Sequence, residues 1–196
     1  MLSKKELRQQ FCAKRAALSA AEQKSASFNA IKKLLTHAVF QNAQTIALYL
    51  PHQGEIDISA LFQQQNKQYY LPVLDPDQSQ HLLFVKYSLN EPLQLNRYKI
   101  LEPPLNKNKI LSAQQLDLVL MPLVAFDLQG HRLGMGAGYY DFTFAFLNTT
   151  SRPVTPYLMG LAYEWQRVNN LAAEKWDVKL NAVITDKNLY ETGEII

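Results

Sequence analysis

The stretch "FDLQGHRLGMGAGYYD" (residues 126–141) concentrates residues suited to handling an anion. The chain has only seven glycines in 196 residues, and four of them, Gly130, Gly134, Gly136 and Gly138, fall in this stretch. Glycine is costly to order and is kept where the backbone needs positive φ or must approach something closely. Successive N–H groups of a glycine-rich turn that opens a helix make a cradle for phosphate. Arg132 could add a two-pronged contact to a phosphate. Asp141 could hold a Mg²⁺ ion that bridges phosphate oxygens. A tight turn with no ligand is the other reading of GxGxG. The spacing is neither the dinucleotide fingerprint GxGxxG nor GxxxxGK[ST], so the common nucleotide motifs are absent.

Other polar residues read more quietly. Lys4 and Arg8 are four apart and share one helix face, which alone suits a solvated surface. Cys12 is the only cysteine, which excludes an internal disulfide and a cysteine-built zinc site and fits a reducing compartment. It lies in a helical pattern and reads as packing. The net charge of +3 favours anionic ligands weakly, and there is neither a basic run nor a nucleic-acid motif. "MLSKKELRQQ" has no apolar run after its lysines, and no stretch reaches the roughly 20 apolar residues of a bilayer span. A cytoplasmic protein with no membrane or nucleic-acid partner is expected.

The elements that must position these groups follow from periodicity. Ser3 with Glu6 and Ser19 with Glu22 match the capping box, so helices are expected over roughly 4–17 and 20–38. "TIALYLP" (45–51), "YYLPVLD" (69–75), "LLFVKYS" (82–88), "YLMGLAY" (157–163) and "NAVITD" (181–186) read as strands, and "ISALFQQQNK" (58–67) as a helix. The apolar run "DLVLMPLVAFD" (117–127) is expected to be one central strand covered on both faces, with a helix starting near Gly138. "LEPPLNKNK" (101–109) reads as a proline-containing loop. Alternation of strands and helices predicts an α/β fold with a mainly parallel sheet and helices on both faces. At 47% hydrophobic and 19% charged residues, one domain over 1–196 is expected.

The glycine stretch resembles the signature of the 5-formyltetrahydrofolate cyclo-ligase (5,10-methenyltetrahydrofolate synthetase) family. The likeness runs nearly end to end. "SKKELRQQFCAKRAALSAAE" is similar to the family's opening helices, and "IALYLPHQGEIDISAL" to its substrate segment. "ILEPP" resembles its mid-chain loop, and "EKWDVKLNAVITD" its closing aspartate segment. The resemblance implies a three-layer α/β/α sandwich of the kind shared with sugar-phosphate isomerases and CoA transferases. It implies cyclisation of 5-formyltetrahydrofolate to 5,10-methenyltetrahydrofolate by an ATP-dependent C–N ligase requiring Mg²⁺, through a phosphorylated formyl (iminium phosphate) intermediate.

Carried over by residue, the resemblance places ATP against Lys4, Arg8, Arg132, Leu133, Gly134, Met135, Gly136, Ala137, Gly138 and Tyr139. It places folate against Leu50, Glu55, Tyr98 and Tyr140, and the metal against Asp141 and Asp177, with Arg132 and Asp141 catalytic. The pterin carries amide-like N–H donors that Glu55 can accept. Phe142, Trp176 and Asn181 depart from residues frequent in the family, which bears on the surroundings of the metal and not on the glycine loop. A monomer is expected, and a polyglutamate tail on the folate is left open. A non-catalytic folate-binding module would be expected to lose Arg132 or Asp141. An isomerase or transferase on the same architecture would lack the paired ATP and folate segments.

Overall fold

The computed structural model describes residues 2–78, 80–149 and 153–192. Both capping boxes form. Ser3 Oγ accepts the Glu6 N–H at 3.2 Å while the Glu6 carboxylate accepts the Ser3 N–H at 2.7 Å, starting α1 (Lys4–Ala16). Ser19 and Glu22 do the same for α2 (Ala20–Thr36). His37 is extended, ends α2, and caps a separate α3 (Ala38–Asn42) by accepting the Val39 N–H at its Nδ1.

The strands follow as β1 (Thr45–Ala47), β2 (Gln68–Leu74), β3 (Leu82–Lys86), β4 (Gln94–Leu95), β5 (Leu101–Glu102), β6 (Ile110–Leu111), β7 (Leu118–Pro122), β8 (Ala125–Phe126) and β9 (Arg132–Leu133). Then come the short α4 (Tyr139–Thr143), β10 (Tyr157–Ala162), β11 (Ala182–Thr185) and β12 (Leu189–Glu191). The large sheet has the order β12-β11-β10-β7-β1-β2-β3-β6. Its centre, from β11 to β2, is parallel, and its margins are antiparallel. This is the mainly parallel α/β architecture expected from the alternation of elements.

Strand β7 shows why its sequence is apolar throughout. Leu118 and Leu120 face the layer of α2 and α3, where Ala30, Leu34 and Phe40 are buried. Val119 and Met121 face the opposite layer, where Phe144, Leu147 and Phe126 are buried. Both sides of the strand are thus removed from water, which favours an unbroken hydrophobic run. Helix α1 stands apart. Its Leu7 and Phe11 pack on Val124, Ala125 and Leu133 of the β8–β9 hairpin, so the helix is braced beside the glycine loop.

Four local expectations are corrected. The run 117–127 is two strands: after Pro122, which has no N–H to donate to a ladder, the chain leaves the sheet and pairs β8 with β9. The glycine loop therefore follows a hairpin, not the central strand directly. The segment 58–67 forms only a 3₁₀ turn, Ser59–Gln63, with no side-chain cap at its start and a left-handed Asn66 beyond it. The helix after Gly138 covers five residues and passes into the 3₁₀ turn Ala145–Leu147. The strand expected at 45–51 keeps its ladder only over Thr45–Ala47.

Candidate active site

Every site residue named from the sequence lines one cleft of about 660 Å³ beside the β8–β9 hairpin. One wall is the glycine loop. Gly136 has φ +105° and Gly138 +75°, conformations that L side chains rarely adopt. A Cβ on Gly136 would sit 3.3 Å from the Arg8 guanidinium, and one on Gly138 would sit 3.1 Å from the Phe142 ring. Arg8 Nε donates to the Gly134 carbonyl at 2.8 Å, which ties α1 to the loop. Gln80 donates to the Ala137 carbonyl at 3.0 Å. Because α4 is so short, its dipole adds little here; the cations lining the cleft beside the loop are Lys4, Arg8 and Arg132.

Two cations at the cleft, Arg132 and Lys4, are held by carboxylates. Arg132 Nη2 meets Asp141 Oδ1 at 2.7 Å, and Arg132 also donates to the Val178 carbonyl. Burial works against the charge of Arg132, and the neighbouring Asp141 offsets that. Asp141 Oδ1 further accepts the Val178 N–H at 3.1 Å. Lys4 lies 3.7 Å from Asp177 and 3.8 Å from Glu174, a looser and more exposed pairing. The Glu174 N–H donates to Asp177 at 2.9 Å, fixing that carboxylate on the wall.

Leu50, Glu55 and Tyr140 also line the cleft. Glu55 is largely buried; burial pushes its carboxyl above the ordinary carboxylate range, and Arg15 opposes the shift. Its Oε2 accepts the His52 N–H at 3.1 Å. Burial likewise raises the Tyr140 phenol, keeping it a neutral donor at ordinary pH. At the mouth, Tyr98 and Tyr139 meet edge to face, with ring centroids 5.9 Å apart and hydroxyls 3.1 Å apart. Arg97 donates to the Tyr139 hydroxyl and lies over the Tyr98 ring.

Asp141 and Asp177 are hard oxygen donors, with side chains 25% and 22% exposed on the cleft wall. Among the described residues no group of three or more His, Cys, Asp and Glu side chains is arranged to hold a metal. Two carboxylates are a donor set suited to Mg²⁺, which usually takes one or two carboxylates and completes its octahedron with water and phosphate oxygens. Phe142, Trp176 and Asn181 have local surroundings of different kinds. Trp176 is exposed, the Phe142 ring lies against His81, and Asn181 Oδ1 accepts the Leu158 N–H at 2.8 Å at the β10–β11 margin.

Sequence reasoning missed Arg15, Asn96, Arg97, Glu102 and Glu174, all at or beside the cleft. Arg15 had a signal: it lies seven residues after Arg8, on the same face of α1. Glu102 had none. It is buried and accepts from the Leu74 N–H at 3.2 Å and from Asn96 at 3.0 Å, anchoring the β4–β5 ribbon that carries Tyr98.

The parallel core and the cleft lined by residues of several elements define an α/β protein with a cavity sized for small molecules, and the comparisons specify which kind. Residues 1–186 match the model of the 5-formyltetrahydrofolate cyclo-ligase family. The cyclo-ligase of Haemophilus influenzae is 43% identical over 85% of this chain and 88% of its own length. That of Escherichia coli K12 is 37% identical over 91% and 97%. The solution structure of 5,10-methenyltetrahydrofolate synthetase from Aquifex aeolicus superposes with a TM-score of 0.82 at 29% identity, covering 100% of this chain and 96% of that one. The chain belongs to the 5-formyltetrahydrofolate cyclo-ligase family.

Proposed function

We propose that this cleft binds ATP and 5-formyltetrahydrofolate together and cyclises the folate after direct phosphoryl transfer to its formyl oxygen. One observation carries the reading. The residues assigned to the two ligands line the same cleft, and the two sets touch where Tyr98 meets Tyr139. A cleft of this kind is what a reaction between two bound anions needs.

Lys4, Arg8 and Arg132, with the N–H groups of Gly134 to Gly138, bind and orient the triphosphate. The Lys4 pairing with Glu174 and Asp177 is long and partly exposed, so an incoming phosphate can exchange with it at low cost. Arg132 is held from two sides and keeps its direction. Asp141 and Asp177 would hold Mg²⁺, which when bound neutralises phosphate charge. Glu55 accepts the pterin N–H groups, Leu50 covers the ring, and Tyr140 and Tyr98 flank the substrate.

The formyl oxygen is a poor leaving group. It attacks the γ-phosphorus, ADP departs, and the formyl carbon becomes an iminium phosphate. The N10 nitrogen then attacks that carbon, inorganic phosphate leaves with the former formyl oxygen, and the N10 proton is released. The product is the 5,10-methenyl cation. The protein supplies positioning and charge, which is most of what phosphoryl transfer requires.

The test is turnover followed by the near-ultraviolet absorbance of the methenyl product. Activity is expected only with ATP and Mg²⁺ both present, to stop with EDTA, and to return with excess Mg²⁺. Equal product formation without ATP would remove the proposal.

A further inference from the structure

Arg15 is the most deeply buried charged side chain at the cleft, with 2% of its surface exposed. It sits in the last turn of α1 and reaches three residues in two separate segments. Its Nε donates to the Gln53 carbonyl at 3.0 Å, and its Nη1 meets Glu55 Oε1 at 3.4 Å and the Leu123 carbonyl, just after β7, at 3.5 Å. The turn it clasps is pressed onto α1. Gln53 and Gly54 both have positive φ, and a Cβ on Gly54 would lie 3.0 Å from the Arg15 carbonyl oxygen. Tyr163 secures the far side by donating to the Gly54 carbonyl at 2.9 Å.

We propose that Arg15 is a positioning residue for the folate subsite, holding the Glu55 carboxylate in place and balancing its charge so that it can accept from the pterin. The proposal rests on the reading of Glu55 as the folate acceptor. It assigns Arg15 no contact with the reacting atoms. A guanidinium suits the task because its planar fork fixes direction as well as charge.

The other groups facing Glu55 do not replace it. From its own segment comes the His52 N–H, which carries no charge. Tyr49 lies between β1 and the turn, Tyr140 on α4, and Tyr163 after β10. All three phenols are pushed up by burial, Tyr163 to about 12, so they are neutral at ordinary pH. Lys4 and Arg8 line the cleft but are engaged with Asp177, Glu174 and the Gly134 carbonyl. Arg15 is the cation in contact. Without it, Glu55 remains protonated to a higher pH, and folate binding that needs the carboxylate fails earlier as pH falls.

The experiment is equilibrium binding of 5-formyltetrahydrofolate and, separately, of ATP, from pH 5 to 8, for the wild type, Arg15→Met, Arg15→Lys and Glu55→Gln. For Arg15→Met the folate affinity at neutral pH is expected to fall at least about tenfold. The acid limb of its profile is expected to move up by about one pH unit. ATP affinity should stay within about twofold, since no ATP group is altered. Arg15→Lys, which keeps the charge but not the fork, should restore the acid limb and leave folate affinity severalfold low. Wild-type folate affinity and pH profile in Arg15→Met, beside a Glu55→Gln variant that binds folate poorly, would overturn the role of Arg15 alone. Normal folate affinity in Glu55→Gln would instead overturn the folate reading itself. If Arg15→Met does not fold, Arg15→Lys decides: lowered folate affinity with normal ATP affinity supports the role, and wild-type affinity for both overturns it.

Discussion

Asp141 and Glu55 are both carboxylates on the cleft wall, and their surroundings set them to different work. Asp141 is partly exposed, pairs with Arg132 and accepts the Val178 N–H. Removing a charge that acts in the transition state costs about 2–4 kcal/mol, or roughly 30- to 1000-fold in rate. Arg132→Ala and Asp141→Asn are each expected to lower kcat/KM in that range, as measured by product absorbance. Both variants should remain folded by circular dichroism, because the Asp141 side chain reaches solvent and the Val178 amide still has its acceptor. Glu55 is buried and its carboxyl is raised, so its ionised form is less favoured in the folded protein than it is in water. Folate affinity that depends on ionised Glu55 is therefore present above the raised value and lost as pH falls through it. Glu55→Gln should weaken folate by about 1–3 kcal/mol, leave ATP binding unchanged in separate titrations, and flatten that acid limb.

At the scale of elements, the glycine loop and α1 form one unit, joined by Arg8 and the Gly134 carbonyl. Two glycine substitutions separate its structural and functional needs. A methyl group on Gly134 would meet no atom within 4 Å, so Gly134→Ala should melt as the wild type does. If phosphate approaches the loop backbone there, the same variant should bind ATP at least about tenfold more weakly. Gly138→Ala must keep φ +75° with the Phe142 ring at 3.1 Å, and should lose about 1–3 kcal/mol of stability in denaturant melts. The sequence made α1 and α2 legible because capping boxes are local and complete within four residues. It made β7 legible because burial on both faces leaves no alternation to misread. The break after Pro122 was not legible, since the pairing of β8 with β9 depends on a partner strand beyond the Asp127–His131 turn. The 58–67 segment was misread for the opposite reason: its apolar spacing suits a helix, but it lacks a cap at its start and meets a left-handed Asn66 at its end.

For the whole molecule, the site was legible where the sequence carries a signature and silent where tertiary contacts build it. The glycine loop, Lys4, Arg8, Glu55 and Asp177 are far apart in the chain, and the fold brings them around one cleft. Glu102 and Asn96, which fix the ribbon bearing Tyr98, have no spacing that announces them, because their partners lie on β2 and within the ribbon itself. Among the described residues no helix is long and apolar enough to cross a membrane. The proposed route has ATP activate the formyl group directly, and its support is that Arg132, the glycine loop and the two aspartates line one cleft with the residues assigned to folate. The alternative is that ATP hydrolysis only drives a conformational change and the formyl oxygen departs as water. Substrate carrying heavy oxygen in its formyl group separates the two by mass spectrometry of the released phosphate. About one labelled atom per turnover is expected in phosphate, as direct transfer requires; unlabelled phosphate formed alongside normal methenyl product would contradict it.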